Sequence, residues 1–135
     1  GYSFATAGCL ATSIAMVMSH YGFSVTPETL ANSSSDVFSF GDLRYSFSLS
    51  GASVNRTPFS GYNQEKIDSE LSSGRPIIVQ LYSPSVSGRH FIVLISGSGG
   101  KYKMNDPVRE NGHNLDFSQY YTTGMVATTD VTSVN

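Results

Sequence analysis

"RPIIVQLYSPSVSGRHFIVLISGSGGKYKMNDP", residues 75–107, decides the fold. Its opening, "RPIIVQLYS", is apolar and β-branched and predicts a strand. "RHFIVLISG" predicts a second strand and "KYKMND" a third, joined by the glycine-rich "SGSGG". Glycines between two such runs read as the turn of an antiparallel hairpin. In a hairpin, the start of one strand faces the end of the other. His90, at the mouth of the buried "HFIVLI", is therefore expected close to Asp106, where the third strand ends. Asn105 falls on the opposite face by the two-residue period, and Pro107 closes the strand. "SGSGG" does not open a helix, so it is a turn and not a phosphate loop.

Upstream the pattern is helical. In "ATAGCLATSIAMVMSHYG", residues 5–22, Leu10, Ile14, Val17 and Tyr21 recur at helical spacing, with Ala15 and Met18 beside the stripe. A helix is predicted over 9–21, stopped by Gly22. Thr26 and Pro27 announce a short second helix. In "YNQEKIDSELSSG", Asn63 caps a third helix, Ile67 and Leu71 lie four apart, and Gly74 ends it. The Ser-rich, aromatic 32–61 reads as irregular, with a short helix near 41–48 and a strand near 52–56. Residues 115–121 suggest a turn or short helix, and "GMVATTD" a last strand. Helices first and antiparallel strands later make an α+β domain, and 135 residues fit one domain, 1–135.

Charged residues make up only 13% of the chain, about half the usual share, and Ser, Thr, Asn and Gly supply the polarity. That balance suits an extracellular or cell-envelope protein. The net charge is −2 and no basic stripe exists, so nucleic acid is not an expected partner. No apolar run approaches the length of a membrane span. A single cysteine excludes an internal disulfide. The histidines and the cysteine lack ligand spacing, so no metal and no cofactor are expected. A monomer is expected. The chain opens on Gly1 and lacks the features of a signal peptide, so it reads as a mature or excised fragment.

The one cysteine, Cys9, falls after a small-residue turn at the predicted start of a helix. Burial is the ordinary fate of a lone cysteine. At a helix start, however, the free N–H groups favour a thiolate and can hold an oxyanion. Such a nucleophile needs a base. His20 lies roughly 16 Å along the same helix, too far to serve. His113 sits in the polar turn "RENGHNL" and reads as solvated. His90 remains, with Asp106 as the group to orient its ring.

"AGCLATSIAMVMSHYG", "GRPIIVQL" and "GRHFIVLISGSGGKYKMNDP", in this order and spacing, resemble the papain-like cysteine peptidases related to the double-glycine leader peptidases, which process bacteriocin precursors. The resemblance covers most of the chain and is weakest across 32–61. It implies a papain-like fold with the cysteine helix packed on an antiparallel sheet. It implies Cys9 as nucleophile, His90 as general base and acid, and Asp106 as the residue orienting the imidazole. Those peptidases usually carry a glutamine about six residues before the cysteine, to complete the oxyanion hole; position 3 here is Ser3. Many relatives also have glycine after the cysteine, where this chain has Leu10.

The function expected is a thiol peptidase acting on a Gly-rich leader peptide or a peptidoglycan cross-link. Two alternatives stay open. One is an amidase or acyltransferase with the same chemistry. The other is a non-catalytic module binding peptide or cell-wall material, motivated by Ser3 and by Phe38, Phe40, Tyr45 and Phe47, which otherwise read as core.

Overall fold

The computed structural model describes residues 4–32, 38–39, 42–43, 45–82, 89–109 and 111–135. Helix α1 (Phe4–His20) leads into α2 (Pro27–Ala31), whose N-cap Thr26 accepts the Thr29 N–H at 3.1 Å. Two short strands, β1 (Phe38–Ser39) and β2 (Asp42–Leu43), pair with each other. They are followed by β3 (Ser46–Leu49), β4 (Ala52–Ser60), α3 (Gln64–Ser72), β5 (Ile77–Tyr82), β6 (Arg89–Ser98), β7 (Lys101–Asn105), β8 (Leu115–Asp116) and β9 (Val126–Val134). The main sheet has seven antiparallel strands in the order β3-β4-β9-β5-β6-β7-β8.

Helices cover both faces of this sheet. Leu10, Ile14, Val17 and Met18 of α1 pack with Val54, Ile78, Phe91 and Val93. Ile67 and Leu71 of α3 pack on the other side with Ile77, Val79, Leu81, Ile92 and Leu94. Alternate residues of β5 and β6 thus serve alternate cores, which is why both strands read as unbroken apolar runs. At about 25 cal/mol per Å² of apolar surface, these side chains supply most of the drive to fold.

Three expectations need correction. The described part of 41–48 is not helical: Phe47 and Leu49 alternate with Ser46 and Ser48, and that period of two belongs to β3, with Phe47 buried. The strand near 52–56 runs on through Pro58 to Ser60. The N–H at Arg56 points to the Tyr45 carbonyl, and position 58 has the same phase. β3 does not extend to that point, so the N–H that proline lacks had no strand partner there. The last strand starts at Val126, opposite Leu81 of β5, and extends to Val134, because β4 pairs with it from Thr128 onward.

The β6–β7 hairpin turns at Gly99 and Gly100, both at positive φ (63° and 89°), which suits the right-handed twist of a two-residue turn. Asp68 of α3 anchors it, accepting the Gly99 N–H at 3.1 Å and the Tyr102 hydroxyl at 2.8 Å. Gly97, at φ 110°, is more demanding: a Cβ there would sit on the Lys101 carbonyl and against Tyr102 Cα. Gly97→Ala should therefore lower stability by ~1–3 kcal/mol. Gly99→Ala, where a Cβ meets open space, should cost less. Urea unfolding followed by circular dichroism measures both; equal losses would contradict the close approach at Gly97.

Candidate active site

α1 starts five residues earlier than its apolar stripe predicts. Ala5 and Ala7 are strong helix formers and carry the helix through Gly8 back to Phe4. The unpaired N–H groups of such a helix are those of residues 4–7. Cys9 lies in the second turn, so the helix-start rationale for an oxyanion donor at its own amide is withdrawn. The cysteine is half-buried against the α1-side core.

His90, the second residue of β6, stands opposite Leu81 of β5 and is 1% exposed. Its Nε2 lies 2.7 Å from Asp106 Oδ1, and the Cys9 side chain is close enough to the ring to help raise its pKa. With Nε2 committed to the carboxylate, Nδ1 is the nitrogen left for sulfur. The structure thus brings Cys9, His90 and Asp106 together. His20 points elsewhere, to the Gly74 carbonyl at 3.1 Å, and His113 is exposed.

Asp106 reaches His90 because of an irregularity in the hairpin. Ser96 to Ser98 pair with Lys103 to Lys101, but the register then shifts, and Leu94 and Val93 pair with Met104 and Asn105. Ile95 is the extra residue. Continued one step, the shifted register sets position 106 across from Ile92, in phase with His90; without the bulge it would face Val93 on the other side.

Two side chains that sequence reasoning missed hold the carboxylate. Tyr121 donates its hydroxyl to Oδ2 at 2.6 Å, and Arg109 Nε donates to Oδ2 at 3.1 Å. The Val108 N–H donates to Oδ1 at 3.1 Å, closing a turn around the aspartate. The Asp106 N–H in turn donates to the Gly112 carbonyl at 2.7 Å. Gly112 has no room for a side chain, because a Cβ would collide with the Asp106 and Arg109 carbonyls. The signal for Arg109 was its place in the turn after "NDP"; Tyr121 had none beyond being an aromatic in "QYY".

Burial acts against charge on every member of this network. For Asp106 it pushes the carboxyl pKa up, yet the bonds from His90 and Tyr121 outweigh it and leave the pKa below its usual value. For His90 burial pushes the pKa down, but the hydrogen bond to Asp106, then that to Cys9, raise it to about 9. Burial and Asp106 together push the Tyr121 phenol up to about 12, so it remains a donor. The arrangement favours the charged imidazole, so the ring can take up and hold the proton of a neighbouring cysteine, as nucleophilic chemistry requires. Among the described residues no group of ligating side chains could hold a metal, and no helix is long and apolar enough to cross a membrane.

Residues 2–127 match the model of the Peptidase_C39 like family. Among solved structures the chain resembles a candidate C39-like peptidase from Bacillus anthracis, at 18% identity and a TM-score of 0.52, over 92% of this chain and 88% of that one. A periplasmic domain of the EpsAB fusion protein of the Vibrio vulnificus type II secretion system aligns at 12% identity and a TM-score of 0.47, over 99% of this chain and 50% of that one. No curated protein matches the chain.

The raised His90 pKa has a signed consequence. A histidine titrating near 9 when folded and near 6.5 when unfolded stabilises the fold fully below pH 6.5, and that contribution disappears as pH rises through 9. Asp106→Asn removes the negative charge, so the His90 titration followed by NMR should move down from about 9 and the loss of stability should begin at lower pH. A titration unmoved by the substitution would show that Asp106 does not set the imidazole's charge.

Proposed function

The chain belongs to the Peptidase_C39 like family, and we propose that it acts as a cysteine peptidase through Cys9, His90 and Asp106. The observation that carries this reading is the buried His90 ring, bonded to Asp106 at 2.7 Å and close enough to Cys9 for that side chain to act on its charge. His90 takes the Cys9 proton, and the thiolate attacks the carbonyl carbon of a peptide bond. The imidazolium then protonates the leaving amine as the C–N bond breaks, leaving a thioester on Cys9. Water, deprotonated by His90, attacks the thioester; the acid is released and the thiol recovers its proton. Asp106 orients the ring and stabilises its charge without taking the proton.

Gly-rich peptides and peptidoglycan cross-links are the substrates to try first, since the small residues Ala7 and Gly8 precede the nucleophile. Ser3, the position where a glutamine would complete the oxyanion hole, lies outside the described residues, as does Phe40. Of the aromatics that motivated a binding module, Phe47 is core and Tyr45 is exposed.

Turnover of a Gly-rich peptide should disappear in Cys9→Ala and fall by ~10²–10⁴ in His90→Ala. Asp106→Asn should be milder than Asp106→Ala, because an amide oxygen still accepts from His90 Nε2. Circular dichroism controls for folding. Full activity in Asp106→Ala would remove the aspartate from the mechanism. An added amine that diverts the acyl group from water would mark an acyltransferase. Rapid alkylation of Cys9 with no turnover of any peptide would leave a binding module.

A further inference from the structure

The two side chains on Asp106 Oδ2 are unequal. The Tyr121 hydroxyl donates at 2.6 Å and Arg109 Nε at 3.1 Å. Strong, charge-assisted bonds run to about 2.5–2.7 Å for a hydroxyl on a carboxylate and about 2.7–2.9 Å for a cationic N–H. The tyrosine bond has the length of that class, and the arginine bond exceeds it. The Arg109 side chain is 33% exposed, so water screens its charge. Tyr121 is only 2% exposed, and its hydroxyl dipole acts on the carboxylate without that screening.

The phenol proton has one destination. Among the described residues the Tyr121 oxygen faces Asp106 Oδ2 and, at 3.5 Å, Arg109 Nη2. A guanidinium donates and never accepts, so the proton lies toward Asp106. Burial first, then Asp106, push the phenol up to about 12, and below that pH it keeps the proton. The ring is fixed by the core. The Tyr121 N–H donates to the Phe117 carbonyl at 2.9 Å, and the ring centroid lies 5.9 Å from that of Phe117 and 6.1 Å from that of His90. Arg109 instead reaches the carboxylate from the turn, with its guanidinium over the Tyr120 ring at 3.9 Å. With Oδ2 filled from the core side, Oδ1 is left to His90 Nε2 and the Val108 N–H.

We propose that Tyr121 is a positioning residue of the site: its hydroxyl holds Asp106 ionised and fixes the rotation of the carboxylate that presents Oδ1 to His90. The role rests on the peptidase reading for its purpose, but not for its test. Besides Tyr121, the ionisable side chains bonded to Asp106 among the described residues are His90 and Arg109, and Cys9 acts through His90. Tyr121→Phe leaves all three in the chain, removes the hydroxyl and keeps the ring. A carboxylate that loses a donor to its charged form titrates higher, so Asp106 should move up from its depressed value. The stability that a depressed carboxyl supplies is present above its unfolded pKa, near 3.9, and lost as pH falls through the folded one. In Tyr121→Phe that loss should therefore begin at higher pH.

The test is NMR of the protein labelled with ¹³C at the aspartate carboxyl, with and without Tyr121→Phe. Asp106 Cγ should titrate at higher pH in the variant. On a Gly-rich peptide, kcat should fall about tenfold with KM unchanged, as for one hydrogen bond to a charged group lost away from the substrate. A residue that only fills the core would leave the titration in place, because phenylalanine fills the same space. An Asp106 titration unmoved in folded Tyr121→Phe protein, or an unchanged kcat, would overturn the assignment. If the variant unfolds, the Tyr121 ring signals of the unsubstituted protein decide. They should shift as Asp106 titrates, and signals that ignore that titration overturn the role equally. Absence of turnover by the unsubstituted protein refutes only the peptidase reading, since the titration needs no substrate.

Discussion

One buried carboxylate organises the site. Asp106 accepts four hydrogen bonds, from His90 Nε2, the Val108 N–H, the Tyr121 hydroxyl and Arg109 Nε. A charged group removed from water must recover its solvation from fixed donors, or it takes up a proton. Here the donors come from β6, from the turn that Asp106 opens, and from the segment after the 3-10 turn at Phe117–Gln119. Three separated parts of the chain must therefore be in place before the aspartate can ionise at low cost. The imidazole's charge depends on that, and in the proposed peptidase chemistry the thiol in turn depends on the imidazole.

The hairpin was legible because its information is local. Two apolar runs and a glycine turn specify antiparallel pairing, and pairing alone brings positions 90 and 106 into the same neighbourhood. The phase was not legible. The bulge at Ile95, which puts position 106 in step with His90, arises where the Gly97 backbone closes on Lys101 and Tyr102. Nothing in "LISGSGG" distinguishes that register from a regular one. Arg109 and Tyr121 escaped for a different reason. They serve the site through tertiary contacts twelve residues apart from one another, and no spacing rule connects them.

The cysteine helix shows how a correct element can carry a wrong inference. The apolar stripe begins at Leu10, and the stripe alone predicts a helix that starts beside it, at residue 9. A stripe records only which face is buried, whereas the helix itself continues wherever the backbone can. Ala5 and Ala7 extend it to Phe4, and the donors once assigned to Cys9 move to residues 4–7. What remains for the proposed activation of the thiol is the imidazole, whose own pKa is raised in part by Cys9. Weight thus shifts from the helix dipole to the His90–Asp106 pair.

His90 also joins the two cores of the molecule. Cys9 packs with the α1-side cluster, and Tyr121 with the α3-side cluster; the imidazole touches both residues, the phenol ring at 6.1 Å between centroids. His90 stands one pair from the end of the β5–β6 ladder, where one side chain can be reached from both layers. Any displacement of one layer against the other would then lengthen the bond to sulfur or the bond to carboxylate. Close packing makes such displacements costly. The fold's contribution to the proposed chemistry is thus to hold a titrating ring at the junction of two rigid cores, with its charge prepared before a substrate arrives.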